Sequence, residues 1–256
     1  MPNIYIREWP TDAPHDLERQ EGTLHAARLM VNSAITAPVI GGVPLIECNL
    51  VYGRQEMEKV ARKIEELAYT NKREVWQNMF KTEAVMVRES DVILYIGCYR
   101  AAKSPLDAEC GLCNGEPSCQ RMYEGWPRAN LGMIDVTDRR KETLIQGPLC
   151  TARIGDLGFA VGSALRMAVN LHVDCRPLLS ASLAGLELEY CPESHFVIGM
   201  PLTAQAKNPY VDINPDYHLI NMRSIMETIR ETYVVTRQMV PTDYRRRVVK
   251  PKKEEE

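Results

Sequence analysis

No stretch of this chain approaches the roughly 18 consecutive apolar residues that a membrane-crossing helix requires, so no span is expected. The N-terminus, MPNIYIREWP, has neither a basic stretch nor the apolar run and small-residue cleavage site of a secretory leader, which makes a cytoplasmic protein the expectation. Basic charge is not in excess: a formal net charge of −3 and a pI near 6.0 supply no general pull toward nucleic acid or anionic lipid. There is no GxxxxGK[ST], GxSxG or clear GxGxxG segment, so nucleotide hydrolysis and serine hydrolysis are not expected. The five histidines, His15, His25, His172, His195 and His218, lack the HxxxH or HxH grouping of a mononuclear metal site. No repeat at a period of about 20 to 50 residues is present.

What remains is ordinary globular usage, 45% hydrophobic and 25% charged over 256 residues, enough to bury a core in a single domain. The expected fold is α/β (α+β), a mixed sheet flanked by helices and interrupted by a cysteine-rich insert. Residues 1–21 are polar and proline-containing and read as an irregular arm, 22–240 as one domain with the insert at 98–150, and 241–256 as a charged tail. Leu24, Ala27, Val31 and Ala34 form a helical stripe that ends at Pro38 and Gly41-Gly42. Leu45 to Val51 alternates as a half-buried strand closed by Gly53, and Met57, Val60, Ala61, Ile64, Leu67 and Ala68 repeat as an amphipathic helix. Another helix is expected over Val75 to Val87, then a central strand over Val92 to Ile96 stopped by Gly97. Ile154 to Leu171 reads as an apolar helix, whose Gly158 and Gly162 would let a backbone or flat ligand approach. Phe196 to Met200 reads as a strand, Pro201 to Pro215 as loop, and 218–238 as a last helix.

The chemistry lies in the cysteines. Eight in a chain with no secretory signal point to buried thiols, metal ligands or catalytic groups rather than a disulfide framework. Cys110-Gly-Leu-Cys113 is followed after five residues by Cys119 and after thirty more by Cys150. A tight CxxC loop, a third nearby thiolate and a distant fourth can approach one cluster from several directions. Gly111 and Gly115 permit the backbone angles that aim amides at sulfur. Four thiolates also suit zinc, but zinc ribbons pair two CxxC knuckles and this chain has a single one, which favours a 4Fe-4S cluster held by Cys110, Cys113, Cys119 and Cys150. Core packing is the expectation for Cys48, Cys98, Cys175 and Cys191, with Cys98 notable because it ends a strand twelve residues before Cys110.

Five segments carry a resemblance to a family: Ala34-Ile-Thr-Ala-Pro38, the Cys110 to Cys119 loop, Gly147-Pro-Leu-Cys150, Asp156-Leu-Gly-Phe-Ala-Val-Gly-Ser163 and Gly199-Met-Pro-Leu-Thr-Ala-Gln-Ala-Lys-Asn-Pro209. Over about residues 22–213 the chain resembles the uncharacterised bacterial and archaeal proteins with a ferredoxin domain. That family's loop carries a glycine after its second cysteine, where Asn114 stands here with Gly115 following. The resemblance implies a 4Fe-4S protein of anaerobic metabolism and supplies no reaction. A fainter resemblance, in the order of elements, is to nitroreductase-like flavoproteins. It implies FMN at a homodimer interface, with Thr36 and Pro38 at the end of the first helix and Lys207 and Asn208 in the 203–209 loop near its phosphate or ring.

Read on its own, Lys207-Asn208 fits either an anion site or a solvated Asn-Pro turn. Asp174 and Arg176 would pair to orient the loop after Cys175, Asp156 would complement a helix N-terminus, and the basic residues near the C-terminus read as a solvated tail. The expected function is an iron–sulfur oxidoreductase or electron-transfer component, acting on a redox partner protein or a small molecule, with no acid or base named. A non-enzymatic redox sensor or accessory protein and a zinc-stapled interaction module are the alternatives.

Overall fold

The computed structural model describes residues 16–42, 45–70, 73–99, 150–205 and 208–211. The chain divides into two units, 1–217 and 218–256, and every described residue belongs to the first. Most of the 98–150 insert, the expected last helix and the charged tail lie outside the described residues, as does the domain boundary expected at 240.

Among the described residues four strands form one sheet, β1 (Ile46–Tyr52), β2 (Val92–Tyr99), β3 (Asp174–Cys175) and β4 (Ser194–Thr203), in the order β1-β2-β4-β3. All pairings are antiparallel, where a mixed sheet was expected. β2 is flanked on both edges, and each of its two faces is buried, which explains its unbroken apolar run. Val92, Leu94, Ile96 and Cys98 point to one core, while Ile93 and Tyr95 point to the other.

The first core lies under α1 (Asp16–Ile35) and α4 (Thr151–Asn170). Ala27, Met30 and Ala34 of α1 meet Leu157, Ala160, Ala164 and Ala168 of α4 over Met200 and Leu202 of β4. Small residues on both stripes let the helices approach closely, and the Ser33 hydroxyl donates to the Ser163 carbonyl across the seam (2.9 Å). α1 begins at Asp16, inside the stretch expected to be an irregular arm, and its early turns are anchored where Thr23 and Arg19 bond the buried Asp91 carboxylate.

The second core lies under α2 (Arg54–Thr70), α3 (Glu74–Arg88) and α5 (Leu179–Glu187). The predicted stripe of Met57, Val60, Ala61, Ile64 and Ala68 is the buried face of α2. Helix α5 has no counterpart among the sequence expectations. Its Leu-Ser-Ala-Ser-Leu-Ala-Gly-Leu run is small and apolar on every side, so it carries no helical stripe to read.

Two strand ends also differ from expectation. β2 runs through Gly97 to Tyr99, because Gly97 serves as a close-packing position: an added Cβ would lie 2.6 Å from Ser194 Cβ and 3.3 Å from Cys191 Cβ. β4 runs through Pro201 to Thr203, the proline opposite Ile93 with its carbonyl accepting the Arg176 N–H (3.2 Å). Proline removes one donor but not the acceptor, and the buried Met200 and Leu202 on either side hold the strand in place.

Candidate metal centre

Of the four predicted ligands, Cys110, Cys113 and Cys119 lie outside the described residues, and Cys150 lies within them. Cys150 is the N-cap of α4 (φ −73°, ψ 119°), with its carbonyl accepting the Ile154 N–H at 3.0 Å. Its side chain makes no capping hydrogen bond, so the sulfur is not committed to the amides of its own helix. It is half-buried rather than sealed in the core. The helix dipole and the first-turn N–H groups present positive potential at this position. This donor chemistry fits the fourth ligand of an iron–sulfur cluster.

The environment of Cys150 is set by β2 and α4. Cys98, near the end of β2, is buried, and the charges of Arg153, Asp156 and Cys150 all reach its thiol. Burial is the largest influence there and pushes the Cys98 thiol up to about 11, with Arg153 opposing and Asp156 and Cys150 adding to the rise. Arg153 and Asp156 form a buried pair on α4 (3.0 Å), Asp156 being 1% exposed. The second oxygen of Asp156 accepts the Ile40 N–H at 2.6 Å. Asp156 was expected to complement the helix N-terminus, but α4 starts at Thr151 and leaves it beyond the first turn; instead it ties the turn after α1 to α4. No sequence signal marks that bond, since its partners are 116 residues apart.

The remaining cysteines behave as core residues. Cys191 packs in the second core, and Cys48 and Cys175 pack against the first. Burial pushes the Cys48 thiol up to about 11 and the Cys175 thiol to about 12, and also raises Cys191. Neutral thiols are poor metal ligands and poor nucleophiles.

Among the described residues, Thr36 and Pro38 do not converge with Asn208 within one chain. Thr36 and Pro38 are exposed at the end of α1, next to the Ile40–Asp156 bond and so at the Cys150 end of β2. The Thr36 hydroxyl donates to the Asn32 carbonyl at 2.7 Å. Asn208 stands near the other end of β2. Its amide donates to Asp174 (2.8 Å) and its oxygen accepts the Tyr210 N–H (2.9 Å), while Asp174 pairs with Thr203, which bonds Asp91 just before β2. The length of β2 separates the two ends, about 3.3 Å per residue or roughly 20 Å. Lys207 lies outside the described residues. Asp174 and Arg176 both hold the 208–210 segment, Arg176 by donating to the Tyr210 carbonyl at 2.8 Å.

A groove of about 940 Å³ runs along α2 on the opposite face of the sheet from α4. Its lining is charged, and Arg88 is held there by Glu58 and Glu65 (2.8 and 2.7 Å). Among the described residues no helix is long and apolar enough to cross a membrane.

Comparison with known proteins bears on the same part of the chain. Residues 146–212, from just before Cys150 to beyond Asn208, match the model of a family described as uncharacterized proteins containing a ferredoxin domain. A protein of Archaeoglobus fulgidus, itself described only as uncharacterized, is 34% identical over 197 residues, covering 77% of this chain and 95% of its own. By the extent of that match and by the family model spanning Cys150 and α4, the chain belongs to the family of uncharacterised proteins containing a ferredoxin domain.

Proposed function

We propose that this protein is an electron-transfer component that holds one 4Fe-4S cluster on Cys110, Cys113, Cys119 and Cys150. Membership of a ferredoxin-domain family supports an iron–sulfur group, and the uncapped, half-buried Cys150 at the α4 N-terminus is the observation that carries the ligand assignment. When bound, the cluster supplies one-electron chemistry. The chain's part is to present Cys150 at the N-terminus of α4 with its sulfur making no capping bond, and to back it with the apolar seam of α1, α4 and β2, which limits water access and so helps set the potential.

An electron carrier is favoured over an enzyme acting at the large groove, because that groove is lined by mutually paired charges and lies across the sheet from Cys150. FMN is the finer element of this reading. Thr36 and Pro38 stand at the Cys150 end and Asn208 at the other, so a flavin touching both sets would be shared between two copies of the chain.

Anaerobic purification, iron and sulfide assay and electron paramagnetic resonance test the proposal. About four irons and four acid-labile sulfides per chain are expected in the wild type, with loss of the cluster in Cys150→Ala and its retention in Cys175→Ala. Stoichiometric zinc without sulfide would replace this reading with the zinc-stapled module.

A further inference from the structure

Resting on the reading of Cys150 as a cluster ligand, we infer that Arg153 is a positioning and charge-setting residue for the cluster, and that its buried pairing with Asp156 sets the midpoint potential. Arg153 lies three residues after Cys150 in α4, one helical turn along the same face. Its guanidinium pairs with the Asp156 carboxylate one turn further along α4 (3.0 Å). Arg153 is 8% exposed, and its charge reaches Cys98, the other thiol at this end of β2. Two elements hold the pair: α4, which carries both residues, and the turn at Ile40, whose N–H binds the remaining Asp156 oxygen.

Buried charges act through a lower dielectric than surface charges, so a fixed cation one turn from a ligand favours the more negative, reduced cluster. In the step concerned, one electron from the reductant adds to the cluster and no bond or proton is transferred. Asp156 opposes the cation and holds it in place. The two charges therefore have opposite effects on the potential, whereas a purely structural pair would give changes of one sign.

A redox titration of the full-length reconstituted protein, followed by electron paramagnetic resonance, reads this out. Arg153→Gln is expected to change the oxidised-to-reduced ratio at a fixed poise about tenfold toward oxidised, which is about 59 mV lower for one electron. Asp156→Asn, which keeps the guanidinium, moves the midpoint upward, while Arg153→Lys and the double variant Arg153→Gln/Asp156→Asn stay near the wild type. Unchanged midpoints, or shifts of one sign in both single variants, overturn the inference. If Arg153→Gln does not fold, an Asp156→Asn midpoint at or below the wild type overturns it alone. Retention of the cluster in Cys150→Ala instead removes the underlying ligand assignment, a result distinct from failure of the charge effect.

Discussion

Two glycines from the family-like segments, Gly199 and Gly162, should respond to the same substitution in opposite directions. Gly199 lies in β4 opposite Tyr95 of β2, where α5 crosses the sheet. A Cβ there would stand 2.9 Å from the Ala181 carbonyl carbon, 2.9 Å from Tyr95 Cε1 and 3.0 Å from the Ser182 nitrogen. Two of these atoms are backbone, so no rotamer change relieves the contact and α5 must move. Moving it strains the bond from the Gly199 N–H to Ser182 Oγ (2.9 Å) and that from the Leu178 N–H to the Gly199 carbonyl (3.0 Å). Overpacking costs about 1–3 kcal/mol, and the rigidity of the neighbours places Gly199→Ala at the upper end, about 3 kcal/mol. For a unit of this size that lowers Tm by about 6–12 °C. At Gly162 a Cβ meets nothing within 4 Å, so Gly162→Ala gains helix propensity, about 0.5–1 kcal/mol, with Tm rising by a few degrees. Thermal melts by circular dichroism with guanidinium midpoints measure both. A Gly199→Ala protein within about 0.5 kcal/mol of the wild type would refute the packing argument.

Glu58 should give a pH signature. Hydrogen bonding to Arg88 first, and to Arg62 second, holds its carboxyl at about 2 against an ordinary 4.5. A depressed folded value means its contribution is fully present above about 4.5 and is lost as pH falls toward about 2. The stability gap between wild type and Glu58→Gln should therefore narrow across that window in urea titrations at stepped pH, and stay small because the pair is solvent-screened. Asn208→Ala removes the bonds to Asp174 and Tyr210 and should cost about 1–3 kcal/mol with iron content unchanged. Loss of flavin binding without loss of stability would instead make Asn208 a ligand contact.

The sequence by itself determined α2, α3, β1 and the placement of β2 as an interior strand, because each carries its own period or an unbroken apolar run long enough to name it. It also placed Cys150 just ahead of the apolar helix that is α4. Only the tertiary structure decided the rest: α5, whose small residues face neighbours all round; Gly97 and Pro201 inside strands, where Ser194, Cys191 and the flanking buried residues overrule local preference; and the junction of Cys98, Cys150, Arg153, Asp156 and Ile40. Local periodicity reports which face of an element is buried but not against what, and the partners at that junction are joined by packing across more than a hundred residues of chain.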